Sequence, residues 1–259
     1  MNLLIAPFVN ALFGFYYLTG NLGWSVIIVT LLVKFLLLPL VMPSLKSAQK
    51  MRELQPKLKK LQEKYKGEKS KLATAQMDLY KSEGVNPMAG CLPQILQIAV
   101  LLIFFSAFNK VVGFNDNGNY KELNSLLISN FRIEQNFKFN TDFLGSNLTL
   151  KPSKIWSEGN MALMVLPIIL LVGSGVAQYF GAKLMMPAPA VTENIAKKTE
   201  EKGDDMMAAM RTQSLYFMPL MTVFIGWSFS MGLLLYWFVN SLFSVGQQLV
   251  IDGMNKNKK

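Results

Sequence analysis

The stretch that decides the fold is GWSVIIVTLLVKFLLLPLVM, residues 23–42. Lys34 is its only charged residue, and about 20 apolar residues cross a ~30 Å hydrocarbon core as one helix. Lys34 lies near the middle, where a basic side chain costs ~2.5–3.5 kcal/mol on insertion scales. A snorkelling lysine reaches the headgroups along an apolar surface, but Met42 is about 12 Å away at the helical rise of ~1.5 Å. We therefore expect Lys34 to face a cavity inside the protein, with snorkelling as the alternative.

Composition indicates a polytopic membrane protein. Hydrophobic residues make up 51% of the 259 residues and charged residues only 16%, against about 25% charged in soluble domains. The chain has no histidine and a single cysteine, Cys91. These counts exclude Ser-His and Cys-His catalysis, the commonest metal ligand and an intrachain disulfide. We therefore expect a protein that is not an enzyme and has no metal or other cofactor.

Five segments carry no acidic residue, and no basic one except Lys34: residues 21–43, 85–108, 161–180, 213–229 and 230–251. Pro39 and Pro43 are expected to end the first span, because proline interrupts a helix. The last two segments come from one uncharged run, which as a single helix measures about 58 Å, twice the ~30 Å core. We expect it to fold back between Gly226 and Gly232. The chain is thus predicted to be an all-α polytopic membrane protein with five transmembrane helices.

The other segments are expected outside the hydrocarbon core. Residues 1–20 are apolar and aromatic but lack the basic start of a secretory signal, which favours an N-terminal interfacial helix. Residues 109–160 form a polar, Asn-rich loop, residues 181–212 a polar connector and residues 252–259 a basic tail.

Residues 44–84 are expected to form a helical hairpin in water. They hold eleven basic and five acidic residues, a net charge of +6. Leucines at helical spacing give each helix an apolar seam: Leu54, Leu58 and Leu61 on the first, and Leu72 and Leu79 on the second. Gly67 is expected to separate the helices, Pro56 to kink or restart the first, and Gly84 to cap the second.

The distribution of charge predicts orientation and partners. The positive-inside rule places the hairpin and the basic tail in the cytoplasm, and five spans then place the N-terminus outside. The net charge of +10 favours anionic lipids, and ribosomal RNA near the tail, as acidic partners. DNA is not expected, because the basic residues of the hairpin alternate with acidic ones and no aromatic stacking platform accompanies them.

Several motifs resemble the YidC/Oxa/Alb family of membrane protein insertases, and they occur in the order typical of that family. They are LLVKFLLLPL (31–40), LQPKL (54–58), EGVNPMAGCLPQILQ (83–97), KLMMP (183–187), YFMPLMTVFIG (216–226) and LYWFVN (235–240). The third motif is the most specific. The resemblance extends over nearly all of residues 20–251 and implies a short bacterial member without the large periplasmic domain of many Gram-negative relatives.

This resemblance implies a function and a site. A hydrophilic groove, open to the cytoplasm and buried among five helices, receives hydrophobic segments of substrate polypeptides and releases them sideways into the inner membrane without ATP. Family members usually carry arginine at the position of Lys34, and lysine keeps the charge but loses the forked donor geometry. The groove is expected to include Gln97, Gln178, Trp237, Asn240 and Ser244 with Lys34. The five hairpin leucines are expected to receive substrate or a targeting partner: the ribosome, the signal recognition particle or the Sec translocon.

Each assignment has an alternative. The groove amides and hydroxyls are equally expected to join neighbouring spans by hydrogen bonds, Trp237 to belong to an interfacial belt, and the hairpin to be only a solvated charged helix pair. The alternative function is a small ion-coupled transporter or channel. Such a protein usually needs an intramembrane carboxylate, and no Asp or Glu lies in the predicted spans.

Overall fold

A computed structural model describes residues 2–65, 67–85, 92–117, 120–134, 137–185 and 212–256. Its α-helices are α1 Asn2–Thr19, α2 Leu22–Glu53, α3 Gln55–Lys64, α4 Lys69–Ser82, α5 Leu92–Asn117, α6 Tyr120–Asn124, α7 Pro152–Ser157, α8 Val165–Met185, α9 Met218–Gly226 and α10 Met231–Lys256. Shorter turns of helix are Ser129–Phe131 and Met161–Met164, both 3₁₀, and Gln213–Phe217, a π-helix that leads into α9. The predicted connector at 181–212 and Cys91 lie largely or wholly outside the described residues.

Helices dominate the fold, which confirms the predicted all-α polytopic class. Five segments are long and apolar enough to cross a membrane: Asn2–Thr19, Leu22–Glu53, Pro93–Gly113, Met161–Met185 and Met231–Met254. The set includes the predicted interfacial helix at 1–20. It leaves out the predicted fourth span, because the described part of that helix, Gln213–Gly226, measures about 21 Å at ~1.5 Å per residue. Which of these helices lie across the bilayer stays a prediction.

The expected interruption of the first helix at Pro39 and Pro43 is wrong, while the end of the membrane span itself stays a prediction. Both prolines lie inside α2, which continues without interruption to Glu53. Prolines remove two main-chain donors, yet spans tolerate them because neighbouring helices and local adjustments satisfy the freed carbonyl groups. Ser44 and Leu45, just beyond the second proline, are buried against the bundle. The first span and the first part of the hairpin are therefore one helix.

The hairpin itself has the predicted turns. Glycine with a φ of 90° stands at position 67 between α3 and α4, and α3 restarts at Gln55 with Pro56 in its first turn. At the end of α4, Gly84 has a φ of 64°, a left-handed conformation that glycine adopts without strain. Its N–H donates to the carbonyl of Lys81, and Val85 N–H donates to that of Tyr80. This pair of hydrogen bonds is the Schellman cap.

The loop at 120–160 forms a folded cap on one end of the bundle. It contains a two-stranded antiparallel sheet, β1 Asp142–Phe143 with β2 Ser146–Asn147, and its aromatic rings pack on α1. Phe13 of α1, for example, lies 4.9 Å from Phe139, centroid to centroid. At the start of α10, the N–H groups of Met231 and Gly232 donate to the carbonyls of Leu150 and Leu148. The cap therefore satisfies donors that a helix N-terminus leaves free.

The core of the bundle is formed by buried side chains of α1, α2, α5, α8 and α10. The turn at 227–230 reverses the chain between α9 and α10, as the sequence predicted. A methyl group added at Gly232 would lie 1.9 Å from the Phe108 ring, and one at Gly226 would lie 2.5 Å from Leu171. Gly232 thus lets α10 approach α5 closely, and Gly226 lets α9 approach α8.

Candidate functional site

Lys34 points into the bundle. Its ammonium donates to Gln97 Oε1 of α5 at 3.1 Å and to Ser244 Oγ of α10 at 3.0 Å. The nitrogen also lies 6.0 Å from the centroid of the Phe243 ring, within range of a cation–π contact. The neighbouring residues on α2, Phe35 and Leu36, face outward and are more than half exposed. The amine is thus held between three helices.

The Gln97 amide is held from both sides. Its oxygen accepts from Lys34, and its Nε2 donates to the Tyr236 hydroxyl at 3.3 Å. The Tyr236 ring is fixed by stacking on Phe104, with centroids 4.3 Å apart and planes 15° apart. Since a glutamine amide has distinct donor and acceptor ends, this arrangement keeps the oxygen directed at the ammonium. Sequence reasoning missed Tyr236, although it lies four residues before Asn240.

Polar residues recur every fourth position along α10. They are Tyr236, Asn240, Ser244, Gln248 and Asp252. Residues four apart lie on neighbouring turns of one helix face, so we call this set the polar row. Ser244 Oγ donates to the Asn240 carbonyl at 2.9 Å, and Gln248 Nε2 donates to Asp252 Oδ1 at 2.9 Å. The Asn240 side chain is buried. Ser244 and Asp252 contact α2, and Tyr236 contacts α5.

Two predicted groove residues lie outside the Lys34 cluster. Gln178 of α8 accepts a hydrogen bond from Thr222 Oγ1 of α9 at 2.8 Å, and no hydrogen bond among the described residues connects it to Lys34. Trp237 is partly buried against the core, with its ring 6.0 Å from that of Phe229. Gln178 therefore makes the interhelical contact that was its alternative. A groove role for either residue stays a prediction.

The five hairpin leucines divide into two groups. Leu54 and Leu58 are buried with Tyr80 and Val85 in a small core of their own, and Leu72 is also buried. Leu61 and Leu79 are only half-buried and line an open groove between α3 and α4, together with Lys57, Lys60, Lys64, Ala75, Asp78 and Ser82. Leu61 and Leu79 thus present accessible apolar surface in the groove, and Leu79 also packs against the small core.

The described residues give no support for a metal-binding site. No group of three or more His, Cys, Asp or Glu side chains that could hold an ion is found there. The chemistry of the site is that of one ammonium group with amide and hydroxyl partners. Such a site can attract anions and bind polar groups.

Comparison with known proteins identifies the family. The family model of the 60Kd inner membrane protein matches residues 14–258. The chain is 32% identical over 246 residues to the membrane protein insertase YidC of Helicobacter pylori (strain ATCC 700392 / 26695), covering 94% of this chain and 35% of the relative. It is 33% identical over 250 residues to the protein of that name from Granulibacter bethesdensis, covering 96% and 38%. For membrane protein insertase YidC 2 of Listeria innocua the identity is 29%, covering 93% and 67%.

The fold has a counterpart among solved structures. A crystal structure described as an active YidC insertase with its first transmembrane domain resolved matches with a TM-score of 0.52 and 23% identity, covering 90% of this chain and 42% of that chain. At this identity the likeness concerns the fold alone. The chain spans little more than a third of the length of the Helicobacter and Granulibacter relatives. With the family model matched over nearly the whole chain, the protein belongs to the 60Kd inner membrane protein family, that is, the YidC/Oxa/Alb family of membrane protein insertases.

Proposed function

We propose that this chain is a membrane protein insertase of the bacterial inner membrane. It takes hydrophobic segments of nascent or completed polypeptides from the cytoplasm and releases them sideways into the bilayer. The observation that carries the proposal is the Lys34 ammonium, held by Gln97 of α5 and Ser244 of α10 in the middle of an otherwise uncharged stretch. The names of the relatives support the same reading.

The physical problem of insertion is to move a polar tail across ~30 Å of hydrocarbon. A hydrated groove that reaches the depth of Lys34 from the cytoplasm shortens the apolar part of that path. The polar row, from Tyr236 to Asp252, supplies hydrogen-bonding groups along the route. The hydrophobic segment of the substrate then leaves the groove because its own burial in lipid is favourable.

Lys34 provides the attraction for acidic tails. Two opposite unit charges 4 Å apart attract by about 1 kcal/mol in bulk water and by about 4 kcal/mol at an effective dielectric constant of about 20. The second value matches the ~2.5–3.5 kcal/mol cost of placing a basic residue at this depth. The energy for insertion therefore comes from charge attraction and lipid burial, and the sequence has no glycine-rich phosphate loop for a nucleotide.

The hairpin is proposed to receive substrate or a targeting partner at Leu61 and Leu79. Its basic surface favours contact with anionic lipids and with the ribosome, the signal recognition particle or the Sec translocon. The orientation that fits has the N-terminus outside and the C-terminus in the cytoplasm, as the positive-inside rule requires.

Reconstitution in liposomes tests the proposal. The purified chain, without ATP, is expected to insert a single-span substrate into the bilayer, measured as protection of the translocated tail from added protease. Protein-free liposomes provide the control. Failure to protect the tail, combined with solute flux across the same membranes, would support the transporter or channel instead.

A further inference from the structure

A second basic residue of α2 is bound to α10. Arg52 Nη2 donates to Asp252 Oδ1 at 2.6 Å, and Nη1 donates to Oδ2 at 3.1 Å. This is the bidentate geometry in which a guanidinium group binds a carboxylate most specifically. Gln248, buried beside the pair, donates to the same carboxylate oxygen. The site is therefore a built carboxylate-binding site, occupied by a carboxylate of the chain itself.

The pair lies on the proposed substrate path. Lys34 and Arg52 belong to one continuous helix, and the residues of α10 that they contact, 244 and 252, are about 12 Å apart at ~1.5 Å per residue. Their partners Ser244 and Asp252 both belong to the polar row of α10. Arg52 thus contacts the cytoplasmic end of the row, and Lys34 contacts the row two turns deeper. A polypeptide that follows the polar row towards Lys34 passes Arg52 first.

We propose that Arg52 is a second carboxylate-binding residue for substrates, and that Asp252 occupies it until an acidic side chain of the substrate takes its place. The inference rests on the proposed function and names its substrate class: hydrophobic segments flanked by Asp or Glu. Asp252 then acts as an internal competitor. Substrates without an acidic flank leave the pair closed.

The exchange conserves its main interactions. One carboxylate replaces another on the same guanidinium fork, so the two hydrogen bonds of the guanidinium group are kept. The side chains of Arg52 and Asp252 are 22% and 24% exposed, which gives an incoming carboxylate access from solvent. Such partly exposed pairs are weak compared with buried ones, so a tethered competitor of this kind reduces substrate binding without abolishing it.

The test measures binding, so that it stays separate from insertion. The full chain is placed in phosphatidylcholine nanodiscs and titrated with a fluorescent peptide whose apolar segment is flanked by aspartates, and with its asparagine twin. Asp252→Asn is expected to tighten binding of the aspartate peptide about two- to fivefold, the range of a partly exposed ion pair, and to leave the asparagine peptide unchanged. Arg52→Gln is expected to weaken binding of the aspartate peptide and to leave binding of the asparagine peptide unchanged.

Two controls separate this role from simple helix pairing and from net charge. Glu158→Gln removes one negative charge from an exposed pair with Lys154, directly after α7 and far from Asp252, and is expected to change the binding of neither peptide. In the double variant Arg52→Gln with Asp252→Asn, the gain is expected to disappear. A gain that persists in the double variant, or a loss of binding in both single variants, overturns the proposal. If the variants show these differences in peptide binding but the parent chain inserts no substrate in the liposome assay, the result would instead count against the proposed function.

Discussion

Tyr236 and Gln97 are joined by a hydrogen bond of 3.3 Å, in which the phenol oxygen accepts from the amide nitrogen. The phenol is held in place by its stack on Phe104. Lys34 therefore binds an acceptor whose orientation is fixed by a third residue. Two side chains from different helices cooperate to keep a single carbonyl oxygen directed at the ammonium.

A double-mutant cycle tests that relationship. Tyr236→Phe keeps the ring and removes the hydroxyl, and is expected to lower the free energy of unfolding by about 1 kcal/mol because the Gln97 amide loses a partner. Gln97→Leu alone removes the other end of the same bond. Thermal unfolding in detergent should give a coupling of about 0.5–1.5 kcal/mol between the two sites. Strictly additive effects would show that the bond contributes nothing.

Lys34 is expected to set the preference for acidic substrates. Lys34→Ala should lower insertion of a substrate with an acidic tail by about five- to 1,000-fold, because the lost attraction amounts to about 1–4 kcal/mol, and should spare a neutral-tailed twin. Lys34→Arg should retain the preference. The measurement is the liposome insertion assay.

Lys46→Ala gives the matched control for Lys34. Lys46 is an exposed residue of the same helix, so its substitution changes the net charge equally without touching the cluster. If Lys46→Ala and Lys34→Ala reduce acidic-tail insertion alike, the effect belongs to net charge and the groove role of Lys34 is lost.

Gly232→Ala is expected to destabilise the bundle. The new methyl group would meet the Phe108 ring at 1.9 Å, and overpacking of this kind costs about 1–3 kcal/mol. Gly246→Ala on the same helix has nothing within 4 Å and should be neutral or slightly stabilising, since alanine favours helix by about 0.5–1 kcal/mol. Melting temperatures of the two variants give the comparison; equal values would contradict the packing described.

The hairpin is expected to be needed for insertion but not for the folding of the helical bundle. Deleting residues 54–79 should abolish insertion while the spans still unfold cooperatively near the parental melting temperature. Leu61→Asn is the finer variant, because Leu61 lines the open groove and does not pack against the small core of Leu54 and Leu58. Insertion at the parental level by both variants would remove the receiving role.

Sequence reasoning reached the class of fold and part of the site. The lone lysine in an apolar stretch predicted a residue that faces inward, and the structure brings Lys34 together with Gln97 and Ser244. Tyr236, Asn240 and Ser244 stand four residues apart in the sequence, and this spacing would have pointed to Tyr236. The function of these residues stays a prediction.

Other features of the structure could not be predicted from local sequence patterns. The proline rule predicted an interruption of α2 that does not occur, because the rule describes isolated helices and ignores the tertiary contacts that support α2 beyond Pro43. The ion pair of Arg52 with Asp252 joins residues 200 positions apart. No spacing rule connects such residues, since only the packing of α2 against α10 places them together.

The folded cap has a consequence for engineering the chain. The carbonyls of Leu148 and Leu150 accept hydrogen bonds from the first N–H groups of α10. Shortening the cap at these residues would leave those N–H groups without acceptors in an apolar environment, where each unsatisfied donor costs several kcal/mol. Tags and fluorescent reporters are therefore better placed at the turn around Gly159, which has open space beside it. A shortened variant would report on a broken helix end and not on the biology of the loop.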